Sequence, residues 1–270
     1  MGTLHITRQF LGDASVCYSG GLDSTTVAYL IALQKKGKVH LHTFRHGYGY
    51  LFYWWVGRTF KSIRKVLGED AICHRYVRTK DLFDQVAMRS LAADRKKYGQ
   101  WFGCCLGCTM AVVTKVLIYN LERGIPHITF ASSVGGQYAV MSTPGTIALQ
   151  KEYCGRYGVI YSTPLIDDQI VKQDERDLLD KAGIFRGIRF HDKHSFYNQG
   201  YCLLSLQHAP DVVMNVHPVY DPEQVKRFFY DKLPICERYI EDHFKRTGQD
   251  LAACVARLKK ITAGSPEVPA

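Results

Sequence analysis

The stretch Ser19-Gly20-Gly21-Leu22-Asp23-Ser24-Thr25-Thr26, directly after the apolar run Ala14-Ser15-Val16-Cys17-Tyr18, decides how this chain is read. A short apolar run of that kind reads as a buried strand, and the hydroxyl-rich segment behind it opens a helix. Two glycines let the backbone turn sharply and aim successive N–H groups at an anion. The helix beginning near Asp23 adds the positive end of its dipole. A polyphosphate suits such a cradle; the alternative is an ordinary strand-to-helix turn capped by Asp23 or Ser24. The spacing lacks the lysine of a Walker loop and the third glycine of a dinucleotide fingerprint.

Working outward, short apolar runs at 14–18, 39–44, 71–77, 127–131 and 159–161 alternate with helical patterns at 25–35, 51–67, 81–98 and 109–122. Glycines at 37, 68, 99 and 124 close those helices. The alternation predicts an α/β fold, a doubly wound, mainly parallel sheet whose ligands sit beyond the carboxyl ends of the strands. It fades after Ile184, and 222–261 read as two amphipathic helices forming a small helical C-terminal cap. The expected organisation is a main domain over 1–206, a helical extension over 207–262 and a flexible tail over 263–270.

Composition narrows the function. With 270 residues, 46% of them hydrophobic, the chain can bury one large core. No apolar stretch approaches the roughly 20 residues of a membrane span, and the first residues lack the order of a signal peptide, so a cytoplasmic protein with no membrane partner is expected. In that compartment nine cysteines read as thiols, metal ligands or redox groups rather than disulfides. The net charge of +10 points to an anionic partner larger than ATP, nucleic acid above all, unless the cations are merely scattered for solubility.

The second informative cluster is Cys104-Cys105-Leu106-Gly107-Cys108, placed just before the helix expected from Thr109. A Cys-x-x-Cys pair at a helix N-terminus serves redox chemistry, zinc or an iron–sulfur cluster. No second Cys-x-x-Cys occurs to complete a zinc knuckle.

Ser19-Gly20-Gly21-x-Asp23-Ser24 resembles the PP-loop of ATP pyrophosphatases, which cut ATP between its α and β phosphates and leave an adenylated substrate. With the Cys-x-x-Cys pair and a distant single cysteine, the chain resembles the iron–sulfur tRNA thiolation enzymes, the 2-thiocytidine and 2-thiouridine synthetases. Cys202 follows Cys108 by 94 residues, close to that family's spacing. The segments 42–47 and 161–165, with the acidic helix near 174–182, extend the likeness over roughly residues 10–206.

The resemblance implies ATP on Ser19, Gly20, Gly21, Ser24 and Thr25, Mg2+ near Asp23, and adenosine against Thr43 and Phe44. It also implies a 4Fe-4S cluster on Cys105, Cys108 and Cys202, with Asp23 and Lys115 as catalytic groups. The expected reaction adenylates a carbonyl oxygen of a tRNA base and replaces it with sulfur, in a possible homodimer. Alternatives are the same chemistry on a small metabolite, an enzyme of the phosphoadenylyl-sulfate reductase type, or a non-catalytic nucleotide-binding or RNA-binding module.

Other features stay open at this level. Where the family has an acidic Gly-His-x-x-Asp-Asp sequence, this chain has Ser132-Ser133-Val134-Gly135-Gly136-Gln137. Cys104 is an alternative ligand, a persulfide carrier or a small buried residue. Tyr48, Tyr50, Tyr53, Trp54 and Trp55 are base-stacking surfaces or core. His191, His194 and His208 flank Cys202 as groups that could support it.

Overall fold

A computed structural model of the chain describes residues 4–51, 53–98, 102–132, 139–184, 201–204 and 219–264. The run ahead of the glycine pair forms β1 (Ala14–Cys17), and α1 (Leu22–Leu33) begins where the pair ends. There follow β2 (Val39–Arg45), β3 (Tyr50–Leu51), α2 (Trp55–Leu67), β4 (Ile72–Arg78), α3 (Lys80–Val86), α4 (Leu91–Tyr98) and α5 (Phe102–Arg123). The second half supplies β5 (His127–Phe130), α6 (Pro144–Arg156), β6 (Ile160–Ser162), α7 (Pro164–Asp167) and α8 (Lys172–Lys181). Last come β7 (Tyr201–Cys202), α9 (Pro222–Thr247) and α10 (Leu251–Thr262).

Five strands form one parallel sheet in the order β4-β2-β1-β5-β6. The order reverses at β1, so the crevice at the topological switch opens beyond the carboxyl ends of β1 and β5. Side chains alternate across the sheet as strand geometry requires. Val16 joins the core beneath α1, α2 and α8, whereas its neighbour Cys17 joins the core beneath α5, α6 and α9. Helices on both faces make this the doubly wound α/β fold that the alternation predicts.

The C-terminal cap is two helices, each capped by an aspartate at its start: Asp221 accepts from the Glu223 N–H at 2.9 Å and Asp250 from the Ala253 N–H at 3.1 Å. α9 lays Phe228, Phe229, Leu233, Ile240 and Phe244 into the α5 side of the core. Fully burying each such side chain contributes about 1.5–3 kcal/mol.

Four elements differ from the expectation, the first being the helix expected over 51–67, which starts only at Trp55 because Tyr50–Leu51 pair with Tyr201–Cys202 as a strand. The cysteine cluster lies inside the first turns of α5 rather than before the helix, because Gly103 and Gly107 are contact points: a Cβ at Gly103 would stand 3.0 Å from Phe228 and one at Gly107 2.7 Å from Ala87. The expected helix over 81–98 breaks at Ala87 into α3, a 3-10 turn (Met88–Ser90) and α4. Residues 144–156, which carry no clear apolar stripe, form α6, started by Pro144 and by Thr143 accepting from the Thr146 N–H at 3.3 Å. α5 also has the length and apolar composition of a membrane span, but most of it is buried in the core of the fold.

A candidate phosphate and thiol site

The loop between β1 and α1 is shaped by its own hydroxyls. Gly20 adopts φ +77°, which L side chains rarely tolerate. The Ser24 Oγ accepts from the Ser19 N–H at 3.3 Å and donates to the Gly21 carbonyl at 3.3 Å. The Ser19 Oγ accepts from the Gly21 N–H at 3.3 Å. Gly21 is the N-cap, and neither Asp23 nor Ser24 makes a side-chain cap bond to α1. The first-turn N–H groups and the helix dipole are left for an external anion. Thr25 is buried below the loop beside Tyr18.

β2 braces this loop. The Thr43 hydroxyl donates to the Tyr18 carbonyl at 2.7 Å and meets His74 Nε2 at 2.8 Å. Burial pushes the His74 pKa down to about 4, so its ring is neutral at physiological pH. Thr43 thus ties the second strand to the loop, and Phe44 follows it into the adjoining cavity.

That cavity, of about 210 Å³, joins the loop to the cysteines. Ser19 and Tyr18 line one side, Thr43, Phe44 and Phe130 the strand ends, and Cys105, Cys108 and Thr109 of α5 the other side. Tyr53, among the aromatic residues singled out in the sequence, is in its wall, with the Arg45 guanidinium 4.1 Å from its ring centre. Tyr48 packs on Phe83 instead and donates to Asp84.

Cys202 arrives by a separate route. β3 and β7 pair antiparallel, with Tyr50 opposite Cys202, in a two-stranded ribbon outside the main sheet. Gly49, at φ +92°, admits the close approach of Leu203: a Cβ there would lie 2.4 Å from its Cδ1. His46 Nδ1 accepts the Tyr48 N–H at 3.0 Å, which leaves the proton on Nε2. His46 Nε2 then donates to Cys202 Sγ at 3.0 Å.

The thiols feel one another. Burial, followed by the neighbouring Cys104 and Cys202, pushes the Cys105 pKa up to about 12. Burial and then Cys105, Cys202 and Cys104 raise that of Cys108 well above the usual thiol range. Cys104, held at about 11 by burial and then Cys202, belongs to the same group. Among the described residues no group of three or more His, Cys, Asp or Glu side chains is placed to hold a metal ion. The donor chemistry nevertheless fits a thiolate-ligated group. Charge on these sulfurs is opposed by burial and mutual repulsion, and a bound cation reverses both effects.

Lys115 is not at this cavity. Its Nζ donates to Asp81 at 3.0 Å and to the Tyr239 hydroxyl, on the stretch of α5 covered by α9. The cation near the loop is Lys172, at the start of α8, whose Nζ donates to Asp23 and lies 3.6 Å from Glu175 Oε1. Glu175 is completely buried, and burial and then the Asp23 charge push its pKa up to about 8. The sequence signal for this trio is weak, a lysine and a glutamate three residues apart in an otherwise acidic helix. Ser132 is buried and shares a 2.9 Å hydrogen bond with Ser142. Residues 133–137, His191, His194 and His208 lie outside the described residues.

No family model matches the chain, and no curated protein matches it in sequence. Among solved structures it is similar to the U34-tRNA thiolase NcsA from Methanococcus maripaludis with its 4Fe-4S cluster, at 18% identity and TM-score 0.44, over 87% of this chain and 75% of that one. It is also similar to a predicted subunit of tRNA methyltransferase from Methanocaldococcus jannaschii, at 14% identity and TM-score 0.46, over 79% of this chain and 92% of that one. A third likeness is to a 4-thiouridine synthetase in complex with RNA and bound ATP, at 16% identity and TM-score 0.51, covering 87% of this chain and 53% of that one. The chain thus spans about half the length of the synthetase and shares its fold.

Proposed function

We propose that the chain is an ATP-dependent sulfurtransferase that adenylates a carbonyl oxygen of a tRNA base and exchanges that oxygen for sulfur. The observation that carries this reading is that Ser19 of the phosphate loop and the thiols Cys105 and Cys108 line one cavity. The fold shared with a 4-thiouridine synthetase solved with RNA and ATP supports it.

In this reading the N–H groups of the loop and of the first turn of α1 take the ATP phosphates, with Ser19, Gly20, Gly21, Ser24 and Thr25 shaping the cradle. Lys172 supplies the cation that the loop itself lacks, and Asp23 beside it would share a Mg2+ ion with the pyrophosphate. Thr43 and Phe44 give the wall for adenosine. The base oxygen attacks the α phosphorus, pyrophosphate leaves, and the loop donors stabilise the charge that develops there. The base carbon, now bearing AMP as leaving group, becomes electrophilic. Cys105, Cys108 and Cys202 would hold a 4Fe-4S cluster, which when bound supplies the sulfur for that carbon. His46 orients Cys202 through its Nε2–H, and the apolar walls around Cys105 and Cys108 keep water from the activated base. Lys115 anchors α9 and takes no part.

The test incubates anaerobically reconstituted protein with ATP, inorganic sulfide and unmodified tRNA transcripts, and analyses the nucleosides by mass spectrometry. A thiolated base formed together with AMP and pyrophosphate is the expected result. ATP cleavage with no sulfur in the RNA would contradict the reading.

A further inference from the structure

Outside the cavity, a cleft of about 430 Å³ lies between α9 and the α3 end of the 3-10 turn, lined by Arg89, Arg238 and Arg246. Arg238, Tyr239, Asp242, His243 and Arg246 lie on one stripe of α9 at helical spacing, and Arg89 stands across from them. Arg89, Arg238 and Arg246 are exposed, and none makes an ion pair with a carboxylate among the described residues. Nearby cations behave differently: Lys80, Lys97, Lys115 and Lys232 each meet an aspartate within 3.0 Å. Among the residues lining the cleft Asp242 is the one carboxylate, with Asp81 bonded to Tyr239 and Asp84 close enough to feel the Arg89 charge, and His243 is bound to Glu122 at 2.7 Å.

The cleft also has a rigid aromatic wall. The Tyr239 hydroxyl donates to Asp81 and accepts from Lys115, and the Lys115 ammonium stands 4.5 Å from the ring centre. Lys115 therefore stiffens the one large ring in the cleft. Planar guanidinium groups beside a fixed aromatic face are the chemistry that binds a sugar–phosphate backbone and its unstacked bases.

We infer that this cleft is the docking surface for the phosphate backbone of the RNA substrate, held by Arg89, Arg238 and Arg246 against Tyr239. The inference rests on the reading of a nucleic-acid substrate and assigns part of the net charge of +10 to one surface. Contacts of this kind fix the position of the RNA and carry no sequence information.

The test measures binding of a pool of unmodified tRNA transcripts by fluorescence anisotropy across a salt series. It compares wild type, Arg238→Gln/Arg246→Gln, Arg238→Lys/Arg246→Lys, and the charge-matched control Lys35→Gln/Lys36→Gln, which lies after α1 on the opposite face of the sheet. The glutamine cleft variant is expected to lose about one unit of salt slope for each arginine removed, with the lysine variant restoring the slope and the control keeping it. Thermal unfolding of the cleft variant at the wild-type temperature excludes a folding defect. Equal losses in the cleft and control variants, or no loss in the cleft variant, would overturn the inference. Wild-type protein that binds no tRNA would overturn the nucleic-acid reading itself.

Discussion

The two ends of the cavity are built on opposite electrostatic terms. At the loop, polarity is satisfied locally by Ser19, Gly21 and Ser24, and α1 begins at Gly21 with no side-chain cap, an arrangement that favours an anion at the helix start. At the thiols, burial and the crowding of Cys104, Cys105, Cys108 and Cys202 suppress negative charge, so that end becomes anionic only when a cation arrives. In the proposed reading, opposite terms at the two ends keep a polyphosphate and a thiolate-ligated group from repelling each other.

The largest effect is expected at the loop. Gly20→Val forces a β-branched side chain into φ +77° and is expected to slow ATP-dependent pyrophosphate release roughly 10- to 100-fold, the equivalent of about 1–3 kcal/mol of backbone strain. Gly20→Asn should lose less, because asparagine tolerates that region. A valine variant with wild-type turnover would show that the cradle is not the phosphate site. The next effect separates charge from shape: Lys172→Met is expected to raise the KM for ATP about tenfold, the equivalent of about 1.4 kcal/mol, while Lys172→Arg keeps most of the affinity. An unchanged KM in the methionine variant would remove Lys172 from the phosphate end.

At the thiol end the comparison turns on packing. Gly107→Val places atoms where a Cβ already stands 2.7 Å from Ala87, so α5 and α3 must part. Urea unfolding should show a loss of about 1–3 kcal/mol, as for other overpacked contacts. Gly145→Ala in α6, where a Cβ meets nothing within 4 Å, should instead gain about 0.4–1 kcal/mol. Equal behaviour of the two variants would remove the close-approach argument for the glycine between the cysteines.

The smallest effect is a pH slope. Glu175 holds its proton in the folded state up to about pH 8, whereas in the unfolded chain it loses it near the ordinary glutamate value of about 4.5. Between those values the native state binds more protons than the unfolded one, so this group's contribution to stability falls as pH rises and is gone above about 8. Glu175→Gln is expected to flatten that decline in the melting temperature between roughly pH 5 and 8. A decline equally steep in the variant would refute the buried, protonated glutamate.

Much of this was legible in the residues. The strands stand within a residue or so of their apolar runs, because a parallel sheet buried on both faces writes itself as short apolar blocks, and the sharp turn between β1 and α1 follows from Gly20 and Gly21. Less legible were features set by contacts distant in the chain. The helix expected from Thr109 instead starts at Phe102 and takes in the cysteine cluster, and Gly103 and Gly107 are where Phe228 and Ala87 pack closest against it. The resemblance implies Lys115 as a catalytic group, but α9 brings Tyr239 to it away from the cavity, and Lys172 becomes visible only when α8 packs beside α1. The ribbon of β3 and β7, two residues each, is too short to leave a periodic signal, although it is what carries Cys202 to His46.

The most direct test of the central claim is anaerobic iron and sulfide analysis, with ultraviolet–visible spectra, on reconstituted wild type and on Cys105→Ala, Cys108→Ala and Cys202→Ala. The account predicts four irons per chain in the wild type and their loss in each variant. Zinc in place of iron, or no metal in a wild type that still thiolates RNA, would contradict it.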